Sequence, residues 1–471
     1  DDLLRFLPID EQTLARTRMA VRRGDPSADA LVAALPPALQ TSPGLTFDRM
    51  LRLRDQGQDD AARQLASGLA TVIPDQAAAV KLWKHGALAV EALRSGQVAS
   101  AYAVAAHSGL VNGPEAAEAE FMAGWLALTR MNDPRLADQH FAKLALAGES
   151  PLTQSRAYYW RGRAAEAQGD IVNAQLFFSQ AATWPTAFYG QLAAARTGVK
   201  TLRIGSDPVI TASARTAFEA QPAIKAMRYL AGIGAKDEFK IFAADLADIV
   251  PDAAQAAMLV DLTRAYGDPA AAMRAVRNAA RRGLILPERG YPLVSAEYAG
   301  AEPALVLGVT RQESSFDPDA RSGAGARGMM QLMPTTAAIL ARRMGLSYSG
   351  YELEDPQYNM RLGSDYLGQL VGQFSGSYVM AVAAYNAGPG RPNQWSLTCG
   401  DPRSSSTDPL NFIECIPFSE TRDYVMRVLE AMQVYRARLH GGAAPLTLDY
   451  DLKRGAYGLT AGQPVGGQNS S

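Results

Sequence analysis

One carboxylate in this chain stands where it could act as an acid. Glu313 follows Val309 by four residues, and Val309 follows Leu305 by four, so the three share one face of a helix. Glu302-Pro303 suits the start of that helix, because proline's missing N–H is not needed in a first turn. Asp317-Pro318 and the glycines beyond it end the helix. The spacing therefore predicts an acid on an apolar face, in a last helical turn. Burial disfavours the ionised form, and so does the negative end of the helix dipole. The expected result is a carboxyl group protonated near neutral pH, able to give a proton to a leaving group. On the helix alone, a glutamate that bends out to water would explain the residue as well.

The residues that follow shift the balance toward chemistry. Gly323, Gly325 and Gly328 make a loop whose backbone can approach a ligand. It leads into Gly328-Met329-Met330-Gln331-Leu332-Met333-Pro334. Further on stand Ala384-Tyr385-Asn386-Ala387-Gly388, then Ile416-Pro417-Phe418-Ser419-Glu420-Thr421-Arg422-Asp423-Tyr424-Val425. Arg327 could meet a ligand carboxylate or lie on the surface. Asp317 and Asp319, on either side of Pro318, read as turn residues rather than acids.

These runs must be held by helices. Asp355-Pro356 is an N-cap and N1 pair that opens a helix with Met360, Leu367, Leu370, Val371 and Phe374 on one stripe. Gly363 falls on the same stripe as a close-packing point. Tyr378–Tyr385 forms a second helix, stopped by Gly388-Pro389-Gly390, which puts Asn386 beside a helix C-terminus. The segment 391–415 is polar and reads as a loop. Ser419 suits the N-cap of a final helix reaching about Leu439. Beyond His440-Gly441-Gly442 the chain reads as an extended or disordered tail, with Leu446–Leu452 able to pack on the fold.

Composition sets outer bounds. The 471 residues exceed one ordinary core, so two or three domains are expected. Lys+Arg 46 against Asp+Glu 47 gives a net charge of −1, which provides no global footprint for nucleic acid or anionic lipid. No apolar run has the length of a transmembrane span. The first residues, Asp1-Asp2-Leu3, suggest a mature or trimmed form. Two cysteines and four histidines show no structural metal spacing. Cys399 and Cys415 would form a disulfide in an exported protein and remain buried thiols in a reducing compartment.

Residues 1–205 are rich in Ala, Leu, Arg and Gln, which favours helices. Gly86, Gly124 and Gly162 are evenly spaced, and Ala101, Ala137 and Ala174 with Phe141 and Phe178 follow nearly the same step. A small residue on one helix and an Ala…aromatic pair on the next is how stacked helical hairpins pack. Tyr158-Tyr159-Trp160, Trp184 and Phe188-Tyr189 could form a carbohydrate platform, though their helical spacing suits core packing. Residues 206–285 continue as short amphipathic helices, for example Ala223–Leu230, Lys236–Ile249 and Ala253–Ala265. Arg274, Arg277, Arg281 and Arg282 could meet a charged polymer or simply form a solvated face.

Taken in order, Glu313-Ser314, Gly328…Gln331…Met333-Pro334, Ala384–Gly388 and the run 416–425 resemble the four motifs of the soluble lytic transglycosylases. The resemblance implies a mainly all-α chain. Residues 1–205 would be an N-terminal α-superhelical solenoid of hairpins, 206–285 a helical linker, 286–440 a lysozyme-like catalytic domain and 441–471 a tail. The solenoid would either bind a partner protein or curve into a ring for glycan strands. The implied reaction cleaves peptidoglycan between N-acetylmuramic acid and N-acetylglucosamine, leaving 1,6-anhydro ends. Glu313 would serve as acid and then as base. Ser322, Gln331, Met333, Tyr385 and Asn386 would line the substrate cleft. Glu420 would be a second acid orienting the acetamido group, or only a first-turn glutamate favoured by the dipole. No cofactor or metal is implied. The implied setting is the periplasm, with glycan strands as the partner and room for other cell-wall enzymes. Two alternatives remain: a lysozyme-type hydrolase, and a helical scaffold that binds glycan without cutting it.

Overall fold

The computed structural model describes residues 4–67, 76–86 and 88–455. Among them the regular structure is helical apart from two three-residue strands, so the fold is all-α. Contacts divide the chain into two compact units. One holds Asp1–Glu149 with Arg156–Phe177, and the other holds Ser150–Ser155 with Phe178–Ser471.

The first unit packs helices in hairpins. Helices Pro114–Thr129 and Pro134–Ala147 meet where a Cβ on Gly124 would lie 2.6 Å from the Phe141 ring, so the small residue is a steric requirement. Asn132 turns the chain at φ 55°, and the Asp133 carboxylate caps the next helix by accepting from Leu136 N. Ala101, Ala137 and Phe141 are fully buried. Trp160 is also buried, packing edge-on to Phe121 at 5.8 Å and tilted against Phe141 at 5.9 Å. Tyr159-Trp160 therefore fills core rather than forming a sugar platform.

Within the second unit, residues 212–281 form five helices. Their core is built from Phe218, Ile224, Met227, Phe239, Leu259 and Val276. Thr211, Asp252 and Asp268 each cap one of these helices through a side-chain oxygen. Helices Lys236–Ile249 and Ala253–Ala265 have the limits expected from the sequence.

The site rests on a pair of helices, Pro303–Glu313 and Ser419–Leu439. Three contacts fix their antiparallel register. Arg436 donates to Glu302 at 2.8 Å, a Cβ on Gly308 would meet Val428 O at 2.9 Å, and Tyr424 donates to Glu313 at 2.6 Å. Leu305, Val306 and Val309 are fully buried, each contributing about 1.5–3 kcal/mol through burial. Phe188–Arg196 also packs on the long helix, with Phe188 N donating to Glu430 Oε2 at 2.7 Å.

Three expectations are corrected. The segment 391–415 is not a loop; it carries helices Arg391–Cys399 and Pro409–Cys415, joined by a Cys399–Cys415 disulfide. Pro392 and the Asp408-Pro409 pair start these short helices, with Asp408 capping the second. Ser419 is the first helical residue rather than the cap, a position taken by Phe418 without a side-chain bond. The chain from 441 to 455 is ordered. Ala443–Pro445 pairs antiparallel with Thr201–Arg203, and helix Leu448–Leu452 follows. Leu448 and Leu452 anchor that helix in the core, while buried Asp451 binds Arg436, Thr447 and Gln433. The rest of the expected tail, 456–471, and the start at 1–3 lie outside the described residues.

Removing the Asp451 carboxylate leaves part-buried Arg436 and buried Gln433 with fewer partners. Asp451→Ala should lower the unfolding free energy by about 2–4 kcal/mol, measured by urea denaturation. An unchanged midpoint would show that the C-terminal turn adds nothing to the fold.

Candidate active site

Glu313 is the last residue of its helix, and the turn beyond it is held rigidly. Ser315 and Phe316 take left-handed conformations at φ 59° and 67°, which non-glycine residues adopt only under firm constraint. The constraint is visible on both sides. Buried Ser314 donates from Oγ to Met329 O at 2.7 Å, and the Phe316 ring lies 6.4 Å from that of Tyr435. The backbone thus fixes the direction in which Glu313 points.

The carboxyl group sits in a crowded setting, although the residue keeps some surface. Tyr424, buried on the long helix, donates its hydroxyl to Glu313 Oε1 at 2.6 Å. Burial is the largest effect and pushes the carboxyl pKa up to about 7. The Tyr424 hydrogen bond acts against this, and the nearby charge of Glu420 acts with it. The expected protonated acid is therefore obtained mainly by desolvation. Burial and the same carboxylate hold the hydroxyls of Tyr385 and Tyr424 well above the usual tyrosine range, so both remain donors.

A second layer shapes the adjoining loop. Tyr385 donates to Met330 O at 2.8 Å. Fully buried Asn359 accepts from Met330 N at 2.8 Å and donates to Arg327 O and Leu353 O at 3.0 and 2.9 Å. Gly328 has φ 75°, and a Cβ there would collide with both Leu353 O and the Asn359 amide, so only glycine fits. Gln331 is left-handed at φ 49° and donates from Nε2 to Ala320 O and Gly328 O at 2.9 and 2.8 Å.

The other expected site residues are placed as follows. Ser322 is exposed on the loop and accepts from Ala326 N at 3.0 Å. Met333 is 41% exposed, at the start of helix Pro334–Arg343. Asn386 accepts from Thr421 Oγ1 at 2.6 Å, which ties it to the helix that carries Tyr424. Glu420 is exposed in the first turn of that helix. Ser322, Gln331 and Met333 make no hydrogen bond to Glu313; they line the loop beside it. Asp317 accepts from Asp319 N at 3.0 Å, as expected of turn residues. Among the described residues no group of His, Cys, Asp and Glu could hold a metal ion.

Sequence reasoning gave no role to Tyr424, Asn359 or Ser314. Tyr424 follows Glu420 by four residues, so helical spacing alone would have put both on one face. Asn359 offered a weaker signal, a polar residue beside the apolar stripe begun by Met360.

The family model of the transglycosylase SLT domain matches residues 292–405. This part of the chain belongs to that family. The match takes in Glu313, Ser322, Gln331, Met333, Tyr385 and Asn386, while Glu420 and Tyr424 lie beyond its limit. The soluble lytic murein transglycosylase of Escherichia coli (strain K12) is 40% identical over 137 residues, 28% of this chain and 20% of that protein. Membrane-bound lytic murein transglycosylase C of Glaesserella parasuis is 32% identical over 155 residues, 29% and 42% of the two chains. The chain thus spans only about a fifth of the length of the first of these curated relatives. Among solved structures, an inactive glutamate-to-glutamine mutant of lytic transglycosylase Slt from Pseudomonas aeruginosa aligns with TM-score 0.65 and 24% identity. That alignment covers 93% of this chain and 74% of that one. The 70 kDa soluble lytic transglycosylase of Escherichia coli gives TM-score 0.54 at 22% identity, over 95% and 75%. At these identities the structural likeness concerns the fold, and it supports the SLT domain's all-α architecture.

The perturbed acid has a consequence for stability. Between about pH 4.5 and 7 the folded state holds a proton on Glu313 that the unfolded chain releases. Unfolding free energy therefore falls as pH rises through that window. Glu313→Gln removes the penalty. The variant should match the parent below pH 4.5 and exceed it at pH 8 by about 1–3 kcal/mol in chemical denaturation. Equal stability at both pH values would mean the carboxyl group is not desolvated.

Proposed function

We propose that the protein is a peptidoglycan lytic transglycosylase, with 286–440 as its catalytic domain, 206–285 as a helical linker and 1–205 as a superhelical domain. The observation that carries this reading is Glu313: a carboxyl pushed up to about 7, held by Tyr424 at 2.6 Å, inside the matched SLT domain. The names of the relatives, and the inactive glutamate-to-glutamine form of the Pseudomonas protein, point the same way.

The protonated Glu313 gives its proton to the oxygen linking N-acetylmuramic acid to N-acetylglucosamine. That bond breaks, and the N-acetylglucosamine leaves with a free 4-hydroxyl. The muramyl acetamido oxygen captures the anomeric carbon. The C6 hydroxyl of the same sugar then attacks that carbon, the acetamido bond breaks, and the Glu313 carboxylate takes the hydroxyl proton. The acid is restored, a 1,6-anhydro ring is formed and no water is consumed. Attack within one sugar has a high effective molarity, which removes the need for a protein nucleophile. Tyr424 holds the carboxylate in place between the two proton transfers. Ser322, Gln331, Met333, Tyr385 and Asn386 bind the strand, and Glu420 raises the proton affinity of Glu313. Contact with other wall enzymes belongs to the same proposal, as does a periplasmic setting. No described helix is long and apolar enough to cross a membrane.

Mass analysis of purified peptidoglycan digests tests the reading. Wild type should release muropeptides lighter by one water than hydrolytic products, and Glu313→Gln should release none. Hydrated reducing ends would make the protein a lysozyme-type hydrolase. Binding without products from the wild type would make it a scaffold.

The pH profile gives a further test. General-acid action should fall off as pH rises through about 7, the carboxyl pKa. Tyr424→Phe removes a bond that favours the carboxylate, so the alkaline limb should move to higher pH while kcat drops about tenfold or more. A limb that stays in place would separate Tyr424 from the acid's titration.

A further inference from the structure

Helix Pro269–Arg281 carries a charged stripe that the chemistry above leaves unused. Arg274, Arg277 and Arg281 are spaced three and four residues apart, so they share one face. The opposite face is core, with Ala272, Met273, Val276 and Ala279 buried. All three arginines are exposed. Arg277 Nη1 donates to Ser315 Oγ at 2.9 Å, and Ser315 lies two residues beyond Glu313. Two residues span at most about 7 Å of chain, so the stripe adjoins the catalytic turn.

The charges around Arg277 are of one sign. Although the side chain keeps surface, its guanidinium end is part-buried against Ser315; that desolvation first, and then the neighbouring Arg311, Arg274, Arg281 and Arg427, bring its pKa down to about 10. Arg427 is paired with Glu430 at 2.9 Å, and Arg311 donates to Gly290 O at 2.9 Å. Among the described residues Arg274, Arg277 and Arg281 have no carboxylate within ion-pair distance. Like charges gathered without counterions repel, and an anionic ligand would relieve them. The planar guanidinium fork matches a carboxylate in particular.

We propose that Arg274, Arg277 and Arg281 form a receiving patch for the carboxylates of peptide stems on the glycan strand whose bond lies at Glu313. The inference rests on the function proposed above, because the muramyl sugars of that substrate carry the stems. It makes the enzyme a reader of peptide-bearing strands, with the linker helix supplying the preference.

The test is equilibrium binding of the full-length Glu313→Gln protein to two probes: peptide-bearing peptidoglycan strands, and the same strands stripped of peptide by an amidase. Stems should tighten binding about tenfold at low salt. High salt should abolish the difference. So should Arg274→Ala/Arg281→Ala, with binding to stripped strands unchanged. The double variant leaves the Arg277–Ser315 contact intact, so a selective loss does not reflect a distorted turn. Arg277→Ala should act in the same direction. Equal affinity for both probes, absence of binding to either, or an equal loss on both overturns the patch. A wild-type digest without anhydro products, alongside retained stem-dependent binding, would sink the transglycosylase reading and leave the patch standing.

Discussion

The site depends on how closely two helices approach at Gly308. Any side chain there would meet the backbone of Val428, so the antiparallel pair closes only around glycine. That closure sets the register. Five residues on from Gly308 is Glu313, and four back from Val428 is Tyr424, so the hydroxyl arrives at the carboxyl group at 2.6 Å. At the other end of the pair Glu302 meets Arg436. The ion pair, the close approach and the acid's hydrogen bond lie along one seam. A shift of one residue along either helix would turn Tyr424 away from Glu313.

The physical problem at such a site is to desolvate a carboxyl group without stabilising its charged form too well. A carboxylate held by several donors would titrate low and could not give up a proton near neutrality. Here one hydroxyl supplies the hydrogen bond, while burial and an exposed like charge at Glu420 oppose ionisation. Arg277, the cation hydrogen-bonded to this turn, reaches Ser315 rather than Glu313. The polar work near the acid is done by neutral groups. Ser314, Asn359 and Tyr385 all bind backbone carbonyls or amides of residues 327–330, which fixes the loop without adding charge.

Much of this was legible in the sequence because it is local. The acid's place on an apolar stripe, the Asp355-Pro356 cap and the limits of Lys236–Ile249 each follow from residues within a few positions of one another. The less legible parts depend on distant partners. Tyr424 lies 111 positions from Glu313, and only helix packing brings them together. Residues 441–455 look like a polar tail because their order comes from pairing with Thr201–Arg203 and from the Arg436–Asp451 ion pair. The two short helices in 391–415 carried visible starts at Pro392 and Asp408-Pro409, but neither is long enough for periodicity to overcome its polar composition.

The left-handed residues show where the fold accepts strain. Ser315, Phe316 and Gln331 are three of the five non-glycine residues with positive φ among those described, and all three flank the acid or its loop. Each such conformation costs about 1–3 kcal/mol and persists only where its surroundings leave no alternative. Those surroundings are specific. Phe316 packs on Tyr435, the side chain of Gln331 is tied to two carbonyls, and Ser314 anchors the turn to Met329. A relaxed turn would let Glu313 swing toward solvent, where it would ionise like an ordinary glutamate. The strain and the raised proton affinity are therefore linked: the constrained turn keeps the carboxyl group in the crowded setting that holds its proton.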